Sequence, residues 1–111
     1  MAYDEELANR IRELVAREVG LTEKKMFGGL AFLIDGHMAV AASGQGGLLV
    51  RVDPAEGDVL LATTVARPMQ RSGRPMRGWL RVDGAHVATT WQLTAWVARG
   101  VSVARSSPAK S

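Results

Sequence analysis

The 111-residue sequence contains no cysteine, which excludes disulfide bonds, cysteine-ligated zinc, iron–sulfur clusters and thiol catalysis. No apolar run approaches the roughly 18 residues that cross a bilayer, and the acidic start at Asp4 is unlike a secretory signal. His37 and His86 are the only histidines, and neither has the spacing of a metal site or a catalytic triad. We therefore expect a cytoplasmic protein that is not an enzyme and holds no metal or cofactor. A small enzyme that uses one of the two histidines is the least favoured hypothesis.

The composition is that of one ordinary globular domain, with 47% hydrophobic and 23% charged residues. Charge is unevenly distributed, because eight of the 14 Lys and Arg residues follow residue 55 but only three of the 11 Asp and Glu residues do. One segment without an acidic residue holds five of these basic residues: Arg67, Arg71, Arg74, Arg77 and Arg81. This segment is either a solvated loop or a surface that binds an anion, a nucleic acid or a partner protein.

Three helices are predicted from apolar spacing and from capping residues. Apolar residues at helical spacing predict a first helix over residues 4–19, with Gly20 in the position of a C-terminal cap. Asp53 before a proline predicts a second helix over residues 54–65. A Thr-x-x-Gln capping box that starts at Thr89 predicts a third helix over residues 90–99, and an extension past Gly100 is left open.

Short apolar segments separated by glycine-bearing turns predict strands over residues 26–34, 37–42, 48–52 and 77–82. The predicted order is helix, three strands, helix, one or two strands, helix. Strands joined by hairpins imply an antiparallel sheet with the helices on one face, a two-layer α+β domain. We expect this domain to span residues 1–105 and a flexible tail to follow over 106–111.

Two features of the predicted strands bear on function. The strand over residues 26–34 is apolar on both faces, so one face should meet a helix and the other needs cover, which a homodimer would supply. Trp79 should share a strand face with Arg77 and Arg81, where it packs beneath their stems or stacks on a base or a partner. The glycine-rich loop before Leu49 lacks the pattern of a phosphate-binding motif.

Four segments together resemble the TfoX (Sxy) N-terminal domain family, which is associated with the regulation of natural transformation competence. They are KMFGGLAF at residues 25–32, DGHM at 35–38, LVR at 49–51 and GRPMRGW at 73–79. The resemblance implies a secretion-chaperone-like α+β fold with the order helix, three strands, helix, two strands, helix. It also implies a regulatory or interaction role without catalytic residues.

Ten residues form the motifs of this resemblance, and their role is either structural or in an interaction. They are Met26, Phe27, Gly28, Gly29, Gly73, Arg74, Pro75, Met76, Gly78 and Trp79. The two-domain competence regulators of the family carry a further helical domain that this sequence lacks, so we expect a stand-alone member. The leading hypothesis is an accessory regulator that binds an unidentified protein. The alternative is direct binding of nucleic acid through the arginine-rich segment over residues 67–81.

Overall fold

The computed structural model of the protein describes residues 3–26 and 28–107, apart from the side chain of Arg71. This part of the chain forms three α-helices and one six-stranded antiparallel sheet, which confirms the α+β class. The strands lie in the order β1-β2-β3-β4-β6-β5. In chain order the elements are α1 (Glu5–Val15), β1 (Leu21–Met26), β2 (Gly29–Ile34), β3 (His37–Ala42), β4 (Leu48–Arg51), α2 (Pro54–Thr63), β5 (Arg67–Arg71), β6 (Arg74–Val82), a short 3-10 helix (Gly84–His86) and α3 (Thr90–Ser106).

The main core lies between the sheet and a layer formed by all three helices. Ile11 of α1, Leu60 of α2 and Leu93 of α3 belong to one cluster with the inward side chains of the strands. Those strand residues are Leu30, Phe32, Val40, Ala42, Leu48, Val50, Leu80 and Val82. Burial of each large member contributes about 1.5–3 kcal/mol. A separate apolar cluster without helical residues lies on the other side of the sheet, which we call the open face.

The first helix is shorter than predicted, because it ends at Val15 and not at residue 19. Asp4 caps its start by accepting a hydrogen bond from the Leu7 amide at 3.1 Å, as its position in the sequence indicates. Gly20, at φ +80°, belongs to the turn that leads into β1, and its carbonyl accepts from the Asp35 amide. Gly20 therefore connects α1 to the sheet and does not cap the helix.

The prediction of a single strand over residues 26–34 is wrong. β1 ends at Met26 and β2 begins at Gly29, so a turn lies within the predicted strand. β1 is an edge strand whose four central residues are exposed. Its sequence, LTEKKM, shows no apolar alternation, and only its end residues Leu21 and Met26 are partly buried. The β2–β3 hairpin was predicted correctly, and its turn residues Asp35 and Gly36 both have positive φ, at 51° and 84°.

The arginine-rich loop before the last strand was also predicted wrongly, because residues 67–82 form the hairpin β5–β6. Its turn is Ser72-Gly73, with positive φ at both residues, 54° and 77°. α2 begins where predicted, with the Asp53 carboxylate accepting from two amides, and ends at Thr63, two residues early. The sheet therefore holds four strands before α2 and two after it.

The third helix runs to Ser106, so it takes the longer of the two predicted forms and continues past Gly100. Its capping box is confirmed, because Thr89 and Gln92 each accept a hydrogen bond from the other's backbone amide. Of the predicted flexible tail, Ser106 closes this helix and residues 108–111 lie outside the described part. Within residues 3–26 and 28–107, no helix is both long and apolar enough to cross a membrane.

Candidate interaction surface

Cross-strand pairing places a row of small and apolar side chains at the centre of the open face. Ala31 pairs with Ala41, and Ala41 pairs with Leu49, so these residues lie in line across β2, β3 and β4. Paired residues of antiparallel strands share a face, and two short alanine side chains leave a depression in it. The row forms the floor of a pocket.

Longer side chains form the walls of this pocket, which we call the methionine pocket. Four methionines line it, Met26, Met38, Met69 and Met76, together with Trp79. All five are half-buried, whereas each floor residue is at most 6% exposed. The pocket encloses about 440 Å³. Because methionine is unbranched and has several rotatable bonds, these walls can adapt to differently shaped apolar groups.

The ionisable groups of the methionine pocket are all potentially basic. Arg51 and His37 line it, and none of its described lining residues is Asp or Glu. The Arg51 guanidinium lies 5.3 Å from the centre of the Trp79 ring, within range of a cation–π interaction. Arg51 is exposed and makes no ion pair with the described residues. The pocket therefore combines apolar walls with one accessible cation.

The arginine-rich segment does not form a single free basic surface. Arg67 forms an ion pair with Asp83 at 2.6 Å, and Arg77 forms one with Asp58 at 2.9 Å. Arg81 donates to the Ser43 hydroxyl at 3.1 Å and to the Gly46 carbonyl at 2.7 Å. Exposed Arg74 lies beside the hairpin turn, whereas the side chain of Arg71 lies outside the described part. Three of these arginines therefore have protein partners already.

Trp79 does not share a side of the sheet with Arg77, contrary to the prediction. Trp79 lines the methionine pocket, but Arg77 reaches α2 in the helix layer through its ion pair. Between them Gly78 has φ +86°, which interrupts the alternation of side chains along β6. Its carbonyl accepts a hydrogen bond from the Val52 amide at 2.9 Å. The indole is therefore an open-face residue beside Arg51.

The glycines of the first family motif allow two backbone segments to approach closely. A β-carbon on Gly29 would lie 2.2 Å from the Ala42 carbonyl oxygen, and one on Gly44 would lie 2.6 Å from the Gly28 carbonyl oxygen. Gly28 has φ +77° in the turn between β1 and β2. The contact is with the end of β3 and the loop that follows it. Phe27 lies outside the described residues.

The second family motif builds the β5–β6 hairpin and part of the methionine pocket. Gly73 supplies the positive φ of the turn, and Arg74 and Pro75 are exposed at the start of β6. Met76 and Trp79 then line the pocket. The two motifs therefore meet on the open face, where each contributes a methionine.

Only one of the two histidines lies at the methionine pocket. His37 lines the methionine pocket, whereas His86 is in the 3-10 helix and is not among the lining residues. Within residues 3–26 and 28–107, no group of three or more His, Cys, Asp or Glu residues could hold a metal ion.

Sequence reasoning did not find most of the pocket. It named Met26, Met76 and Trp79 as motif residues. It quoted Met38 and Arg51 only within the segments DGHM and LVR, and it did not name Met69. One signal was available, since four of the chain's five methionines line this one pocket. Their positions on four different strands become neighbours only once the strand order is known.

These features define a two-layer α+β domain whose open sheet face carries an apolar pocket with a basic residue at its side. The model of the TfoX N-terminal domain matches residues 13–104, so the chain belongs to that family. No curated protein matched the chain.

Proposed function

We propose that this chain is a non-enzymatic regulatory protein of the cytoplasm, related to competence regulators, that acts by binding another protein through its open face. Membership of the TfoX N-terminal domain family supports the regulatory role. The observation that carries the proposal is the half-exposed wall formed by Met38, Met69 and Trp79, since aromatic residues and methionine are enriched in protein interfaces.

The two edge strands of the sheet are poorly suited to binding a partner protein. This favours the open face as the binding surface. β1 presents exposed charged residues at one edge, including Lys24 and Lys25. β5 carries exposed Arg67 and also Pro68, which has no amide hydrogen to donate. Charge and proline on an edge strand oppose pairing with another strand. A second copy is also disfavoured, because the pocket lining that it would present contains no Asp or Glu to pair with Arg51.

A photo-crosslinking amino acid in place of Met38 tests the proposal in cells that express the protein. The matched control places it at exposed Ser102 of α3, in the helix layer. We expect one protein adduct that recurs from position 38 and does not form from position 102. If neither position yields a recurrent adduct, or both yield the same one, binding through the open face is wrong.

Direct nucleic-acid binding is the second candidate, favoured by exposed Arg74 at the hairpin turn. Fluorescence anisotropy with a short duplex and a single strand, across a salt series, tests it. Arg74→Ala is the test variant, and Arg17→Ala, at an exposed position in the turn after α1, is the control. Binding that weakens steeply with salt and is lost only in Arg74→Ala would replace the protein-binding proposal. No binding at low salt would exclude this candidate.

A further inference from the structure

The methionine pocket has the dimensions and the lining of a small-molecule site. Its volume of about 440 Å³ falls within the range of about 300–1,000 Å³ that is typical of ligand sites. Such sites are mostly apolar and contain a few polar groups that orient the ligand. Here the walls are methionines and Trp79, and the polar groups include Ser43 and Arg51.

The electrostatics of the pocket favour one sign of ligand charge. Arg12, Arg67, Arg77, Arg99 and Arg105 are each paired with a carboxylate of the protein, but Arg51 is not among them. No described Asp or Glu lines the pocket. A guanidinium that faces an apolar cavity without a carboxylate is complementary to an anionic group on whatever enters it.

The contact with Trp79 leaves Arg51 without a carboxylate partner. The guanidinium carbon lies over the indole ring, 5.3 Å from its centre, which is within the range of a cation–π interaction. A guanidinium presents its N–H groups in a planar fork that matches the two oxygens of a carboxylate. Trp79 therefore holds the cation beside the pocket, and Arg51 takes part in none of the ion pairs of the described residues.

We infer that the methionine pocket binds an apolar small molecule that carries one carboxylate. The apolar body lies between Trp79 and the methionines, and the carboxylate accepts hydrogen bonds from Arg51. This site goes beyond the proposed function, because it requires no partner protein. A neutral ligand would leave Arg51 unpaired, and a cationic ligand would be repelled by it.

Methyl-carbon NMR of protein labelled at its methionines tests the inference directly. Decanoate, 1-decanol and decylammonium serve as probes with the same chain length, each used below its micelle concentration. We expect decanoate to shift the methyl signals of Met26, Met38, Met69 and Met76 in a saturable way. Its affinity should exceed that of 1-decanol by about tenfold, as one charge-assisted contact would give, and decylammonium should bind most weakly.

A variant then tests the role of Arg51. Arg51→Gln should weaken decanoate binding about tenfold and leave 1-decanol binding unchanged. Arg17→Gln removes an exposed cation from the turn after α1, where it does not line the pocket, and should change the binding of neither probe. The comparison of three probes on the unmodified protein does not depend on how well either variant folds.

Three outcomes would overturn the inference. The first is the absence of saturable shifts at these methionines with decanoate. The second is equal binding of the three probes with no effect of Arg51→Gln. The third is a change of the same methionine signals on dilution, together with a dimer in sedimentation, because a second copy would then fill the pocket. The crosslinking result at position 38 is independent of all three, so each proposal can fail alone.

Discussion

Gly100 in the middle of α3 lies directly against the backbone of Ala39 in β3. A β-carbon on Gly100 would be 2.2 Å from the Ala39 carbonyl oxygen and 2.8 Å from the Cγ1 of Val40. Helix and sheet therefore approach more closely at this point than any side chain would allow. The contact anchors the second half of α3, which continues to Ser106.

Gly100→Ala should destabilise the protein, although alanine is the better helix former. The intrinsic helix preference favours alanine by about 1 kcal/mol, but the new methyl group must displace backbone that cannot move freely. We expect a net loss of about 2 kcal/mol, in the range of overpacked cores. Urea unfolding measures it. Ser102→Ala, an exposed change in the same helix, should cost nothing, and an equal loss in both variants would contradict this explanation.

Gly100 also shows why the sequence left the end of α3 open. A glycine inside a helical pattern usually weakens or ends the helix, so the sequence favoured an end near residue 99. The gain from close packing on Ala39 depends on the position of β3, which no local pattern reveals. The start of the same helix was predicted correctly because its capping box involves only residues 89–92.

Glu23 couples β1 to α1 through a bidentate ion pair with Arg12, and this pair should make stability depend on pH. The Arg12 Nε and Nη2 atoms donate to the two carboxylate oxygens at 2.6 Å and 2.7 Å. The hydrogen bond from Arg12, with its positive charge as a smaller contribution, lowers the pKa of Glu23 below its ordinary value. The stabilisation is therefore present above the unfolded pKa of about 4.3, and it is lost as the pH falls through the folded pKa.

Glu23→Gln should consequently lower the urea midpoint at pH 7 and have a smaller effect at an acid pH below the lowered pKa of Glu23, where the native carboxylate is protonated. Glu13→Gln is the matched control, since Glu13 is exposed and outside the ion pairs of the described residues. A Glu23→Gln effect of the same size at both pH values would show that the charge does not contribute.

Thr89→Ala should destabilise the protein by about 1 kcal/mol, the usual cost of losing an N-cap. The Thr89 hydroxyl accepts from the Gln92 amide at 3.1 Å, and the variant leaves that amide without its partner. Thermal unfolding measures the loss. Thr89→Ser keeps the hydroxyl and should recover most of the stability, whereas equal losses in the two variants would assign the effect to the threonine methyl group.

The candidate site was less predictable than the fold for a physical reason. Helix starts and hairpin turns depend on residues within one turn of each other, such as Asp35 and Gly36. The methionine pocket instead depends on register between strands that are distant in sequence, as in the pairing of Arg51 with Trp79. Positive φ at Gly78 then changes which side Arg77 occupies, and a simple alternation along the strand predicts the opposite.

Arg81 should stabilise the loop after β3, although the sequence analysis placed it in a possible anion-binding surface. Its guanidinium joins the Ser43 hydroxyl to the Gly46 carbonyl, so one side chain fixes both sides of this glycine-rich turn. Arg81→Gln should therefore speed amide hydrogen exchange in residues 43–47 by about tenfold, as expected for easier local opening. The β2–β3 hairpin turn at Asp35 should exchange at an unchanged rate.

Arg67→Gln is the matched control for Arg81→Gln. Arg67 is the cross-strand neighbour of Arg81 in the β5–β6 hairpin, but it forms its ion pair with Asp83. It removes the same charge from the same face and should leave exchange in the loop unchanged. Faster exchange in both variants would assign the effect to the charge of the open face. Faster exchange in Arg81→Gln alone would show that this arginine is held by the fold and is not available as a ligand contact, unlike Arg51.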